Sequence, residues 1–293
     1  MNTAAHQDVR YVIITPVRDE QQYLPSTIES VMTQTILPVE WVIVNDGSTD
    51  RTRDIIDDFA ARIPWIHAVH RPNRGFRQAG GGVVGAFYGG YHALQCKDWD
   101  FIVKLDGDLS FEPGYFQKCL EAFQTEQTLG IAGGEIYHDI DGKLELEATP
   151  GFHVRGATKI YRRACWDVIG GLWPAPGWDT IDEVKANMLG WRTRSLDHVR
   201  LLHHRFTGSV DGSWRDAGKY GKVCYISGYH PLFVLASCIY RLKKKPYVIG
   251  SVAVCYEFVK SHFVRLTRVD NEVMHFVRSQ QLRRLFGRET IWK

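Results

Sequence analysis

Short apolar runs alternate with amphipathic segments along the first 125 residues. The apolar, β-rich runs are Tyr11 to Ile14, Trp41 to Val44, Ile66 to Val69 and Phe101 to Leu105. The segments with apolar residues at helical spacing are Ser26 to Gln34, Asp50 to Ile63 and Pro113 to Thr125. Strands that alternate with helices predict an α/β fold, in which helices cover both faces of a mostly parallel sheet.

Polar residues follow each predicted strand at the point where it ends. They are Pro16, Arg18, Asp19 and Glu20 after the first strand, Asn45, Asp46 and Gly47 after the second, His70 and Arg71 after the third, and Asp106 and Asp108 after the fourth. Ligands bind beyond the carboxyl ends of the strands in open parallel sheets. We therefore expect these side chains to converge on one polar site.

The chain changes character after about residue 210. Tyr229 to Tyr240 and Tyr247 to Val259 are apolar, and the basic residues Arg241, Lys243, Lys244 and Lys245 lie between them. Neither block reaches the ~20 apolar residues that a membrane-spanning helix needs. Two interpretations remain open: helices that lie on an anionic membrane surface, and helices that pack on the rest of the protein or on a second subunit.

Composition and charge narrow the class of protein. The 293 residues carry a net charge of +3, from 36 basic and 33 acidic side chains, which is too balanced to indicate nucleic-acid binding. The six cysteines form no CxxC pair, and the polar N-terminus has no apolar stretch typical of a signal peptide. We expect reduced thiols in a cytoplasmic protein, peripheral on the inner face of the cell membrane if its C-terminal helices bind lipid.

Two carboxylates at the end of the fourth predicted strand indicate a metal site. Asp106 and Asp108 form a DxD motif, and hard oxygen ligands at this spacing suit Mg²⁺ or Mn²⁺. The acidic run from Asp139 to Gly142 has similar spacing and is typical of a solvated turn. The DxD motif is therefore specific only together with its context.

That context makes the sequence resemble the family 2 glycosyltransferases of the GT-A fold, over roughly residues 10 to 205. The matching motifs are Thr15 to Glu20, Val42 to Asp50 and the DxD motif, in the family's order. The resemblance implies an inverting, metal-dependent transfer of a sugar from a nucleotide diphosphate sugar, with a UDP-sugar favoured, to an acceptor hydroxyl. It also implies a GT-A catalytic domain over residues 1–210, a helical region over residues 211–293, and a carbohydrate or lipid-linked acceptor in polysaccharide or glycolipid synthesis.

The resemblance also assigns roles to single residues. Pro16, Arg18, Asp19 and Glu20 would line the nucleotide pocket, Asp46 would contact the base, Asp106 would face the ribose or a metal-bound water, and Asp108 would bind the metal. Asn73, Arg74 and Gly75 match a further motif of the family. Arg77 or Arg205 is suited to hold a phosphate, because guanidinium groups bind phosphate well.

Inverting transfer needs a general base near the acceptor hydroxyl. The family places an acidic residue eleven positions before a glycine and an aromatic residue, and Gly190 and Trp191 make Asp179 the match. Trp178 stands where the family has glutamate, so Asp182 is the second candidate. A purely structural capping role at the start of a helix remains open for both carboxylates.

Two histidines and two tryptophans have alternative interpretations. His203 and His204 follow the last predicted strand, Ser195 to Leu202. In many GT-A enzymes a histidine near this point completes the metal shell, and the sequence does not distinguish between the two. Trp173 and Trp178 could stack on a sugar ring or pack against the sheet.

Two other functions remain open. In a polyprenyl-phosphate glycosyltransferase the acceptor is a lipid phosphate and no base is needed, which the apolar and basic C-terminal blocks allow. A non-catalytic nucleotide-sugar-binding subunit would instead present its C-terminal helices to a partner. The intact acidic set argues against that subunit, because an inactive relative has no need to crowd carboxylates into one cleft.

Overall fold

The computed structural model describes residues 9–75, 81–147, 149–205, 213–242 and 247–292. Its strands are β1 (Tyr11–Val17), β2 (Glu40–Asn45), β3 (Ile66–His70), β4 (Phe101–Leu105), β5 (Leu109–Phe111), β6 (Leu129–Ile140), β7 (Lys143–Leu146), β8 (Thr158–Arg162) and β9 (Arg192–His203). Its helices are α1 (Leu24–Met32), α2 (Thr52–Arg62), α3 (Gly81–Ala93), α4 (Tyr115–Thr125), α5 (Arg163–Ile169), α6 (Trp178–Met188), α7 (Ser213–Ile226), α8 (Pro231–Arg241), α9 (Tyr247–Val264) and α10 (Asn271–Leu285).

These strands form one sheet, in the order β3-β2-β1-β4-β8-β6-β9-β5, with β7 beside β6. The four strands from β3 to β4 are parallel, β8 runs antiparallel to β4 and β6, and β9 runs parallel to β6. Alternate residues of β1 point to opposite faces: Tyr11 and Ile13 belong to one apolar core, and Val12 and Ile14 to another. The predicted α/β sheet with covered faces is confirmed.

The helices α1 and α3 differ from what the sequence predicted. α1 begins at Leu24 with Pro25 in its first turn, a position where the fixed proline φ favours a helix. No helix was predicted in the glycine-rich sequence from Gly75 to Gly90, but α3 begins there at Gly81. A Cβ atom on Gly90 would lie 2.7 Å from side-chain atoms of Ile14 and Val44, so the glycine lets α3 pack closely on the sheet.

The acidic run near Asp139 is the turn of the β6–β7 hairpin. Asp141 and Gly142 have φ angles of 53° and 79°, the left-handed values of a two-residue hairpin turn. The interpretation of this run as a solvated turn is confirmed. After β7 the pairing continues, because the backbone N–H of Glu147 donates to the carbonyl of Ile136 at 2.8 Å.

The C-terminal helices pack on α6. Ile181 and Val184 of α6 share an apolar core with Cys224, Val254 and Val273 of the later helices. The expected boundary at residue 210, and the basic residues 243–245, lie outside the described residues. In the part of the chain that is described, every helix is too short or too polar to cross a membrane. All six cysteines lie in that part and are free thiols, as expected.

Candidate active site

The loop that follows β1 is held by the loop that follows β2. The Asp19 carboxylate accepts hydrogen bonds from the backbone N–H of Thr49 at 2.8 Å and from its hydroxyl at 3.2 Å. The N–H of Asp19 donates to Ser48 Oγ at 3.0 Å, and that of Glu20 donates to Thr52 Oγ1 at 2.8 Å. Asp19 has a φ of 56°, and these contacts offset the strain of that conformation.

Asp46, at the end of β2, binds two arginines from the segment after β3. Its carboxylate pairs with Arg71 at 3.0 Å and with Arg74. Gly47 has a φ of 73°, and a Cβ atom there would lie 2.5 Å from Cα of Asn73. The segment therefore lies directly over the end of β2. We call Asp46, Arg71, Asn73 and Arg74 the Asp46 cluster.

Asp106, the first residue of the DxD motif, is tied to β8 and to Lys104. Its N–H donates to the carbonyl of Ala157 at 2.8 Å, and its carboxylate pairs with the Lys104 ammonium group. Burial raises the pKa of Asp106, Lys104 opposes that effect, and the charge of Asp108 adds to it. The side chain remains 29% exposed, so a ligand can reach it.

Asp108, the second carboxylate of the motif, is buried among cations. His203 Nε2 lies 3.3 Å from its carboxylate and Arg205 Nε lies 3.9 Å away. Burial opposes ionisation, but the hydrogen bond from His203 and the charge of Arg205 outweigh it, and the pKa of Asp108 falls below its usual value. Arg205 also donates to Glu20 at 2.6 Å. Asp108 is therefore an anion at neutral pH.

The structure distinguishes the two candidate histidines. His203 contacts Asp108; burial lowers its pKa, but Asp108, together with Asp106 and Glu147, raises the pKa above its ordinary value. The ring of His204 instead lies 2.6 Å from Ser110 Oγ and stacks on Tyr23 with 5.3 Å between ring centres. Burial lowers the pKa of His204. His203 is therefore the histidine placed beside the DxD carboxylates.

The two candidate bases lie in different environments. Asp179 is partly exposed in the first turn of α6, and its carboxylate accepts no hydrogen bond from any residue of the described ranges. Asp182 has no exposed surface, and its carboxylate pairs with Lys159 at 2.9 Å. Burial raises the pKa of Asp182 to about 6. The second candidate is contradicted, because a fully enclosed carboxylate cannot meet an acceptor hydroxyl.

The capping interpretation of the two carboxylates is wrong as well. The residue before the first turn of α6 is Gly177, with a φ of 86°, and no side chain caps the helix. Trp178 is also not a sugar platform, because it is buried. The ammonium groups of Lys104 and Lys159 lie 5.3 and 5.7 Å from the centre of its ring. Trp178 therefore packs against two cations.

Gly156 connects the DxD motif to Asp179. The Lys104 ammonium group, which binds Asp106, also donates to the carbonyl of Gly156 at 2.5 Å. A Cβ atom on Gly156 would lie 3.3 Å from Cβ of Asp179. One lysine and one glycine therefore separate the predicted metal ligands from the predicted base.

Several residues of the site were given no role from the sequence. Lys104 carried a signal, because a lysine inside an otherwise apolar strand is rarely buried without a partner. The sequence analysis named Arg71 for its place after a strand and Arg74 for its place in a motif. That both arginines bind Asp46 follows only from the folded structure. Pro16 is buried within β1, and the predicted phosphate ligand Arg77 lies outside the described residues.

Solved structures share this architecture. A mannosyltransferase from Pyrobaculum calidifontis, in complex with GDP-Man and Mn²⁺, aligns with a TM-score of 0.56 and 16% identity, over 87% of this chain and 73% of that one. TarS from S. aureus, in complex with UDP-GlcNAc, aligns with a TM-score of 0.53 and 16% identity, over 92% and 78%. The fold is that of the GT-A glycosyltransferases.

The chain belongs to glycosyl transferase family 2, whose family model matches residues 12–174. A chondroitin synthase from Pasteurella multocida is 31% identical over 117 residues, which are 40% of this chain and 11% of that protein. An undecaprenyl-phosphate mannosyltransferase from Micrococcus luteus is 29% identical over 117 residues, 40% of this chain and 45% of that protein. The chain thus matches less than half the length of either relative.

Proposed function

We propose that this protein is an inverting, metal-dependent glycosyltransferase that moves a sugar from a nucleotide diphosphate sugar to an acceptor hydroxyl. The observation that carries the proposal is the bridge from Asp106 through Lys104 and Gly156 to Asp179. It sets a pair of metal-type carboxylates next to a carboxylate that accepts no hydrogen bond from the described part of the chain. Membership of glycosyl transferase family 2 supports the same activity.

The donor would bind across the ends of β1, β2 and β4. Asp46 would contact the base, and Pro16, Arg18, Asp19 and Glu20 would line the pocket. Arg205 lies between Glu20 and Asp108, where a guanidinium group suits a diphosphate. The solved neighbours bind UDP-GlcNAc or GDP-Man, and the motifs favour a UDP-sugar for this chain.

The DxD carboxylates fit a divalent cation. Asp106 offers a partly exposed carboxylate, and Asp108 offers an anionic one beside His203. Hard oxygen ligands of this kind suit Mn²⁺ or Mg²⁺. The ion, when bound, would neutralise the charge that grows on the departing diphosphate. His203 can serve as a further ligand through Nε2 or as the group that orients Asp108.

Asp179 would take the proton from the acceptor hydroxyl. It lies in the first turn of α6, and the buried Lys159 ammonium group holds the backbone carbonyl of the same residue. A base that is fixed in this way keeps its orientation towards the acceptor. Asp182 and Glu183 stabilise that arrangement by binding Lys159 at 2.9 and 2.8 Å.

The test measures nucleotide release and sugar transfer across a panel of nucleotide sugars, with Mn²⁺, Mg²⁺ or EDTA. We expect one donor to be used only with metal, and Asp108→Asn to lose that turnover. Full transfer to a polyprenyl phosphate by Asp179→Asn would favour the lipid-phosphate acceptor. Binding of a donor without any turnover would favour the non-catalytic subunit.

We further propose that α8 and α9 lie on an anionic membrane surface. Thirteen of the 23 exposed large apolar side chains of the described residues lie between Pro231 and Val264. On α9, Val252, Tyr256, Val259 and Phe263 follow helical spacing, so they share one face of the helix. An exposed apolar face of this extent is typical of a contact surface.

Charge favours lipid over a neutral protein partner. Residues 229–268 contain seven lysines and arginines against one glutamate, whereas the whole chain has a net charge of only +3. The cations therefore concentrate in the sequence segment that contains α8 and α9, while the rest of the chain is net acidic. Anionic head groups complement this segment, and each cation near such a surface contributes about 1 kcal/mol.

Flotation with phosphatidylglycerol-rich vesicles tests the membrane proposal. The protein should float with these vesicles, less so at high salt, and Phe263→Glu should reduce binding several-fold because Phe263 is 83% exposed. Val168→Glu, at another exposed apolar residue on α5, is the matched control and should bind like the unmodified chain. Equal binding by both variants, or a dimer formed through this face, would contradict the proposal.

A further inference from the structure

Three side chains that commonly bind transition metals meet beside Asp108. His138 lies on β6, Glu147 directly follows β7, and His203 ends β9. One ring nitrogen of each histidine and one carboxylate oxygen of Glu147 all lie within 4.8 Å of one another. We call these three residues the hairpin cluster, because two of them belong to the β6–β7 hairpin.

The hydrogen bonds of His138 define which ring nitrogen can bind a cation. Its Nδ1 lies 3.1 Å from the carbonyl oxygen of His203, which can only accept, so Nδ1 carries the proton. Nε2 lies 3.2 Å from Glu147 Oε2. If the ring is neutral, Nε2 is also an acceptor, and the two acceptors need either a proton on Nε2 or a metal ion between them.

His203 has the complementary arrangement. Its Nε2 faces the Asp108 carboxylate at 3.3 Å and donates to it. Its Nδ1 is buried and has no hydrogen-bond partner in the described structure, in a residue that is only 4% exposed. A buried polar atom without a partner is destabilising. Metal-binding histidines typically donate their other ring N–H to a carboxylate or a backbone carbonyl, as both histidines do here.

We propose that His138, Glu147 and His203 bind a divalent transition metal, zinc in class, at a site separate from the ion of Asp106 and Asp108. Two imidazoles and a carboxylate are a known zinc ligand set that leaves a fourth position for water. Arg155 pairs with Glu147 Oε1 and leaves Oε2 for the metal. Zinc would need its ligand atoms at ~2 Å, so binding would require the three side chains to rotate towards one ion.

This site goes beyond the proposed transfer reaction and is coupled to it through one residue. With Nδ1 of His203 on the metal, Nε2 stays protonated and continues to donate to Asp108. The metal in the hairpin cluster would therefore fix the orientation of Asp108, the residue proposed to hold the ion of the donor. In this proposal His203 positions Asp108 and is not itself a ligand of the Mn²⁺ or Mg²⁺ ion.

The experiment measures zinc retained by the full chain after dialysis, its affinity by chelator competition, and its position by anomalous scattering at the zinc edge. We expect about one zinc per chain. Glu147→Gln, which keeps the side-chain shape, and His138→Ala should each weaken zinc binding at least ~10-fold. His198→Ala is the matched control: His198 is an exposed histidine on β9, the strand that ends at His203, and this variant should retain zinc.

Asp108→Asn separates this proposal from the proposed function. Asparagine still accepts the hydrogen bond of His203, so this variant should retain zinc while it loses metal-dependent donor turnover. Zinc that is lost in Asp108→Asn but retained in Glu147→Gln would place the ion at the DxD motif and overturn the proposal. Absence of zinc from the folded, unmodified chain, or an anomalous peak elsewhere, would overturn it as well.

Discussion

Two groups of carboxylates in this protein contain the same residue types and have opposite environments. Asp106 lies beside Lys104 on β4, and Asp182 lies beside Lys159 on β8; the two lysines are paired neighbours across antiparallel strands. Asp106 is 29% exposed at its side chain, whereas Asp182 has no exposed surface. Access to solvent, and not residue type, therefore separates Asp106, which a ligand can reach, from Asp182, which it cannot.

The buried group is complete within the protein. Lys159 binds Asp182 and Glu183, and Tyr161 donates to Asp182. Such a group gains little over an apolar core, but the loss of one member leaves an uncompensated charge. The partly exposed carboxylates Asp106 and Asp179 are less enclosed: Asp179 accepts no hydrogen bond from the described residues, although its charge helps to raise the pKa of Lys159. This contrast predicts that variants of the exposed carboxylates lose activity, whereas variants of the buried group around Lys159 lose stability.

The largest expected effect is that of Asp179→Asn on transfer. Loss of a general base lowers the rate by about 10²- to 10⁴-fold. The free energy of unfolding should change little, because the Asp179 carboxylate accepts no hydrogen bond in the described ranges and Lys159 keeps Asp182 and Glu183 as partners. Transfer assays with saturating donor, together with urea denaturation, measure both quantities. Unfolding of the variant at low urea would mean that Asp179 has a structural role.

Lys159→Met should show the reverse behaviour. It leaves Asp182 and Glu183 buried without a cation, which costs about 3–5 kcal/mol of the free energy of unfolding. Urea denaturation at pH 7 measures the loss. Lys97→Met, at an exposed lysine, is the control and should lie within about 0.5 kcal/mol of the unmodified chain. A Lys159→Met protein of unchanged stability would contradict the structural role of this group.

Asp108→Asn should lower metal-dependent nucleotide release by about 10²- to 10³-fold, because a metal ion contributes several kcal/mol to the transition state. EDTA added to the unmodified protein should reproduce this loss. Initial rates over a range of Mn²⁺ concentrations measure the effect. Full activity of the variant at low Mn²⁺ would exclude Asp108 as a ligand.

The smallest effect is the pH dependence that Asp182 confers. Its pKa is about 6 in the folded protein, against an ordinary value of 3.8. The folded state therefore binds this proton more tightly, and the contribution to stability is present below pH 4 and lost as pH rises through 6. The loss is on the order of 3 kcal/mol. The difference in stability between the unmodified chain and Asp182→Asn, measured from pH 4 to 7, should fall by that amount.

The sequence predicts the parallel half of the sheet well, because β1, β2, β3 and β4 are apolar runs whose ends carry polar residues. The rule that parallel strand ends converge places the DxD motif and Asp46 at one edge of the sheet, and β2, β1 and β4 are parallel neighbours in the structure. The family spacing selects Asp179 at the start of α6. These features depend on short runs of residues, or on the spacing of motifs along the chain, so they can be predicted from a single sequence.

The remaining features depend on contacts between distant segments. Asp182 resembles Asp179 in sequence, and only the approach of Lys159 from β8 shows that it is buried. His138 and His203 are 65 positions apart, and the pairing of β6 with β9 brings them together. No periodicity along the chain encodes either contact.

Gly47 has no side chain, and this limits how the proposed nucleotide-sugar site can change its preference for a donor. Any larger residue there would displace Asn73, because a Cβ atom would lie 2.5 Å from its Cα. A substitution at position 47 would therefore displace the Asp46 cluster, and it could not change the shape of the cluster slightly. In a mutagenesis library, selection for a new donor should leave position 47 unchanged and accumulate substitutions at the side chains of Arg71, Asn73 and Arg74.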